Sequence, residues 1–168
     1  MLREAIALTL FPATMAYAAA SDLLTMTIAN RISLLLVAGF AIVAMLGGLS
    51  GAVLVSHVAA GTAVLVVAFV CFACRWIGGG DGKLAAATAL WLGCGNLFEY
   101  LIDASILGGA LTLLILLFRT KPLPGLLVGF EWAEHLHRHD AGIPYGIALA
   151  AAALIVYSHS EWMARLAG

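Results

Sequence analysis

Val58-Ala59-Ala60-Gly61-Thr62-Ala63-Val64-Leu65-Val66-Val67-Ala68-Phe69-Val70-Cys71-Phe72-Ala73-Cys74-Arg75-Trp76-Ile77 runs straight into Gly78-Gly79-Gly80-Asp81-Gly82-Lys83, and a second apolar run, Leu84 to Leu92, follows. The first run has the length of a bilayer-crossing helix, which needs about 20 apolar residues. It is continuous, whereas a spanning β-strand is shorter and alternates. An ionisable side chain set against such sequence is expensive in hydrocarbon and is a functional-site candidate by default. Asp22 closes the first apolar segment of the chain in the same way. Two carboxylates at membrane boundaries, in a chain with little other charge, point to a paired-acid site.

Composition carries the same message outward. Of 168 residues, 64% are hydrophobic and 10% charged, and the mean hydropathy is +1.08. Soluble domains are about half apolar and about a quarter charged. The expected class is therefore an all-α polytopic membrane protein. A net charge of -1 leaves no basic excess for a nucleic-acid partner. The first segment differs from a secretory leader: Glu4 accompanies Arg3, Pro12 interrupts the run, and its small residues lead directly into Asp22. It is expected to be a retained span. Cys71 and Cys74 have CxxC spacing, but a zinc site needs about four ligands and no second pair exists. Cys71, Cys74 and Cys94 are expected to be buried apolar thiols.

Six spans are expected, in one helical domain covering 1–168 and without internal repeats: Leu2 to Leu23, Ile32 to Val55, Val58 to Ile77, a short fourth from Leu84, Leu97 to Phe118, and Ile143 to Trp162. Gly93-Cys94-Gly95-Asn96 divides the overlong run from Leu84 to Phe118. The loops after spans one, three and five hold Arg31, Arg75, Lys83, Arg119, Lys121 and Arg138, whereas the other side holds Arg3 and Arg165. Lys and Arg prefer the cytoplasmic side. Both termini are thus expected outside, with Asp22 and Asp81 at the same cytoplasmic boundary.

Around Asp81, the glycines allow positive φ and close approach of another chain. The helix dipole at the start of span four favours a negative charge there, so Asp81 is also in place for a helix cap. Lys83 is either a substrate contact or a positive-inside anchor. Asn30 is expected to cap span two, and Tyr145 to sit as an interfacial aromatic, with substrate contact the other reading for each. Glu99 and Asp103, one turn apart in span five and toward the outer side, read as a hydrated polar patch. Glu131, His135 and His139 recur every four residues, so a helix would align them. They lack recognised metal-ligand spacing, and the segment reads as amphipathic, with Trp132 and Leu136 as anchors.

Three motifs resemble one family. Asp22-Leu23-Leu24-Thr25-Met26-Thr27-Ile28-Ala29-Asn30 is similar to the first aspartate motif of the type IV prepilin peptidases, which usually reads as Asp, a few polar residues, then Ile-Pro-Asn. Gly78-Gly79-Gly80-Asp81-Gly82-Lys83-Leu84 resembles their Gly-x-Gly-Asp motif, and Ile143-Pro144-Tyr145-Gly146-Ile147-Ala148 the start of their last helix. Archaeal preflagellin peptidases and presenilin share the Gly-x-Gly-Asp logic more distantly. Ala29 departs from the family's usual Pro. The family's bifunctional members carry an N-terminal region with two CxxC pairs and also methylate the new N-terminus. The sequence looks instead like the short members that accompany Flp/Tad-type pili and only cleave.

The resemblance implies an aspartyl endopeptidase with Asp22 and Asp81 as catalytic residues. Gly78, Gly79, Gly80, Lys83, Asn30, Pro144 and Tyr145 would shape the site or bind substrate. It implies no cofactor and no metal. Its partners would be the bilayer and prepilin or pseudopilin substrates, cut at the cytoplasmic face of the inner membrane. Two close carboxylates share a proton, so one can act as base and the other as acid. Two other classes fit the composition. A small proton-coupled transporter would use Asp22, Asp81, Glu99 and Asp103, although such proteins often show inverted repeats. A non-catalytic subunit of a pilus or secretion machine would tolerate loss of either Asp.

Overall fold

The computed structural model describes residues 2–160 and 162. Arg165, one of the two basic residues assigned to the outer side, lies outside the described residues, as does the side chain of Arg3. Among the described residues, six α-helices follow one another: α1 (Leu2–Thr25), α2 (Asn30–Gly47), α3 (Gly51–Ala73), α4 (Gly79–Arg119), α5 (Glu131–His137) and α6 (Gly146–Ser158), with a 3-10 turn at Gly125–Leu127. Ile6–Thr25 of α1, together with α2, α3 and α4, is long and apolar enough to cross a membrane, and α6 is a shorter apolar helix. The protein is an all-α polytopic membrane bundle.

Helical periodicity explains which residues meet. On α1, Ala7, Phe11, Met15, Ala18 and Asp22 are all buried. Spacings of three and four put them on one face, so Asp22 ends the stripe that packs into the bundle. Ile32, Leu36, Phe40 and Val43 form the matching stripe of α2. Helix α4 is the hub, packing on α3, α6 and α2, while α1 packs on α6 and α2. Phe11 stacks on Tyr157 with ring centroids 4.3 Å apart and lies 5.2 Å from Trp91.

At 41 residues, α4 would be about 60 Å long if straight, twice the hydrocarbon thickness. It breaks at Gly93, where φ is 71° and ψ 176°, a conformation open to glycine. The expected break is therefore in place. The second limb folds back on the first, bringing Tyr100 beside Thr88. A broken helix frees backbone groups that hydrocarbon cannot satisfy. Here side chains take over. His57 Nδ1–H donates to the Leu90 carbonyl at 2.8 Å, Trp162 Nε1 to the Trp91 carbonyl at 2.7 Å, and Asn96 Nδ2 to the Leu92 carbonyl at 3.4 Å. The freed Cys94 N–H donates to Ser56 Oγ at 3.2 Å.

Four expectations about elements are corrected. The turn between α2 and α3 is at residues 48–50, not at 55–58, because Gly48 adopts the left-handed conformation (φ 55°) that ends α2. The stretch from Ala52 to Val55 is part of α3. Helix α4 begins at Gly79 rather than Leu84, and α6 at Gly146 rather than Ile143, just after Pro144, which lacks the N–H a helix interior needs. The three cysteines are not buried in the bundle: Cys71 is half-buried, and Cys74 and Cys94 are exposed. An apolar chain in a bilayer can turn such side chains outward.

Candidate functional site

Four segments converge at one end of the bundle: the end of α1 with the turn 26–29, the start of α2, the start of α4, and the loop entering α6. Ile28 is the point where they touch. A Cβ on Gly80 would lie 3.1 Å from Ile28 Cβ and 3.2 Å from its carbonyl oxygen. A Cβ on Gly146 would lie 2.6 Å from Ile28 Cδ1 and 2.8 Å from Asp22 Oδ2. Bare backbone at both glycines lets α4 and α6 close on the aspartate turn.

Asp22 is 4% exposed. Its Oδ2 accepts the Gly146 backbone N–H at 2.7 Å, a contact across 124 residues of sequence. Asp81 lies in the first turn of α4. Its carboxyl folds back over Gly78, where a Cβ would stand 2.7 Å from Asp81 Oδ2. Gly80, beside Asp81, and Gly146, which holds Asp22, both close on Ile28, so the two carboxylates share one end of the bundle. The structure thus brings the two sequence-singled aspartates together from separate helices. Such a pair, one partner protonated, can in principle accept a proton from water and donate one to a carbonyl oxygen.

The remaining expected site residues take definite places. Gly78 has φ -70°, and positive φ among the glycines occurs at Gly48, Gly93 and Gly129. The run Gly78–Gly80 therefore serves close approach and not backbone inversion, since a Cβ on Gly79 would meet Phe72 at 3.3 Å. Asn30 does not cap α2: the cap position is Ala29, without a side-chain bond. Instead, Asn30 Oδ1 accepts from Lys83 Nζ at 2.8 Å, tying α2 to α4. The two line one wall of an apolar cavity of about 480 Å³ between α2, α3 and α4. Tyr145, half-buried, turns its ring toward the second limb of α4. Its hydroxyl donates to the Ala104 carbonyl at 3.2 Å, and its ring occupies the space that a Cβ on Gly108 would need. Burial, and then the charge of Asp81, raise its phenol above the ordinary value. Pro144 is fully buried. Ala29, where the resemblance lacks its usual Pro, holds φ -67°, the angle a proline ring imposes, so the turn keeps that shape without the ring.

The polar candidates away from the pair do not join it. Glu99 is exposed and Asp103 half-buried on the second limb of α4. Helix α5 ends at His137, so His139 does not continue the row of Glu131 and His135. Among the described residues, no three His, Cys, Asp or Glu side chains form a metal-holding group.

Three participants escaped the sequence reading. Gly146 N–H binds Asp22; its only signal was its place in the third motif. Tyr100 is wholly buried on the second limb of α4, beside Thr88 of the first. A tyrosine in an apolar run gave no cue to that position. Arg119 is 7% exposed and binds the loop before α6, although its place at a helix end read as a topology signal.

No curated protein matches the chain, and no solved structure does. Residues 9–113, a stretch that includes both Asp22 and Asp81, match the model of the type IV leader peptidase family, and the chain belongs to that family.

Proposed function

We propose that this peptidase is an intramembrane aspartyl endopeptidase that removes the leader of prepilin-like substrates. The observation that carries the reading is the buried Asp22 carboxylate, fixed by the Gly146 N–H, at the end of the bundle where Gly80, the neighbour of Asp81 on another helix, closes on Ile28. In the singly protonated pair, the ionised carboxylate takes a proton from a bound water, and the resulting hydroxide attacks the scissile carbonyl carbon. The protonated carboxyl donates to the carbonyl oxygen. Collapse of the tetrahedral intermediate breaks the C–N bond as a proton passes to the leaving amine.

The site is assigned to the cytoplasmic face of the cell's inner membrane. Arg31, Arg75, Lys83 and Arg138 lie in segments at the aspartate end, with Arg31, Arg75 and Arg138 exposed and Lys83 tied to Asn30. A prepilin with a basic leader and an apolar helix would present its junction at that level.

The test is co-expression with candidate prepilins, followed by mass measurement of the mature N-terminus. Processing is expected with the parent chain and absent with Asp22→Asn or Asp81→Asn at equal accumulation. Processing by both variants would sink the proposal. The sidedness is tested separately, with Arg138→Cys in a background lacking Cys71, Cys74 and Cys94. Labelling of that cysteine from outside intact cells would overturn the orientation.

A further inference from the structure

We infer that Arg119 is a positioning residue for Asp22, acting through the loop that enters α6; this rests on the paired-aspartate reading above. Arg119 ends α4, and its guanidinium is buried against backbone carbonyls. Its Nε donates to the Leu136 carbonyl at 2.8 Å. Its Nη2 donates to the carbonyls of Ala141 at 3.1 Å and Gly142 at 2.9 Å. One planar fork thus joins the end of α5 to the loop behind it, a geometry that a guanidinium supplies and an ammonium does not.

The chain beyond Gly142 is short and stiff. Four peptide units lead to Gly146, at most about 14 Å of chain. Pro144 lies within them with its φ fixed and its ring fully buried. The Tyr145 hydroxyl pins the far end to Ala104. The last donor in this line is the Gly146 N–H on Asp22 Oδ2. The Arg119 clamp therefore sets where that N–H points. A buried cation without a carboxylate partner among its described contacts is costly. Three carbonyls held in one orientation are the structural return for that cost.

The experiment uses the full chain in detergent, with a fluorogenic peptide spanning a basic prepilin leader and the first apolar residues. Arg119→Lys keeps the charge and removes the fork. Arg119→Met also removes the charge. For Arg119→Lys, kcat per folded molecule is expected to fall about tenfold to a hundredfold, as a displacement of about 1 Å can cost the latter. KM should stay within about twofold, the pH–rate profile should be displaced, and amide exchange at Gly146 should be faster. Arg119→Met should be worse in each respect. The inference is overturned if Arg119→Lys keeps the parent kcat and Gly146 exchange. It is equally overturned if its loss follows only the amount of folded protein, with an unchanged pH profile. An active Asp22→Asn would instead overturn the underlying reading. An inactive Asp22→Asn beside a fully active Arg119→Lys would remove the Arg119 inference alone.

Discussion

The two ends of α4's first limb contrast in how their polar groups are treated. At the Gly93 end, the carbonyls of Leu90, Trp91 and Leu92 each receive a side-chain donor, from His57, Trp162 and Asn96. The freed Cys94 N–H also has its partner. At the Asp81 end, Asp22 and Asp81 share one end of the bundle around Ile28. An ionised carboxylate offers about four acceptor sites, and Asp22 uses one of them on Gly146. A saturated cluster holds shape, because each group already has what water would have given it. A cluster with spare acceptor capacity can engage a water and a substrate carbonyl. On the proposed function, the difference separates a structural polar site from a chemical one within a single helix.

The largest effect should come from the unsaturated end. Asp22→Asn and Asp81→Asn should each reduce processing by about 10²–10⁴-fold, because the amide keeps the shape and loses the ionisable group. The double variant should be no worse than either single one, since halves of one catalytic unit are not additive. Glu99→Gln and Asp103→Asn should stay within about twofold. Normal processing by Asp81→Asn together with loss in Glu99→Gln would place the chemistry elsewhere and undo the contrast between the two ends.

Gly146→Ala tests the same end more finely. The new Cβ would press on Ile28 Cδ1 at 2.6 Å and on Asp22 Oδ2 at 2.8 Å. The loop must retreat, and kcat should drop by about tenfold to a hundredfold while the protein still accumulates. Parent kinetics in this variant would mean that the Gly146 contact does not hold Asp22 for reaction.

His57→Leu addresses the saturated end. It removes the donor to Leu90 and its ring contacts with Phe40 and Trp162. Interhelical bonds of this kind in membranes are worth about 1–2 kcal/mol at most. The expected result is a lower melting temperature in detergent, with kcat per folded molecule retained. Loss of catalysis at unchanged stability would show that the Gly93 end takes part in the reaction.

The smallest effect is expected at Ala29→Pro. The backbone already has φ -67°, so the ring should restrict mainly the unfolded chain, stabilising the protein by about 0.4–1 kcal/mol with activity unchanged. A thermal melt beside a processing assay checks both. Destabilisation would mean that the turn relies on the Ala29 N–H.

Much of this was legible along the chain. Continuous apolar runs specify spanning helices because hydrocarbon demands that each backbone group be satisfied within its own segment. Gly93 announced the break in α4, since a run twice the bilayer thickness must turn somewhere and glycine turns at least cost. Asp22 and Asp81 stood out because a carboxylate in such surroundings needs a reason. The α2–α3 turn was misplaced because Gly47-Gly48-Leu49-Ser50 sits inside one unbroken apolar stretch, where composition does not mark the boundary.

Local sequence was thus enough for the class of fold and the break in α4, and it singled out the two acids proposed for the site, since all of these readings rest on local hydropathy and local backbone freedom. The choice of partners came only with three-dimensional packing. Asn30 joined Lys83 instead of capping its own helix. Tyr145 turned inward onto Gly108. Arg119 gripped three carbonyls, and Gly146 met Asp22 from across the chain. These contacts depend on which helix faces which, and that is settled by close packing of small residues between distant segments, a property that no local stretch of sequence contains.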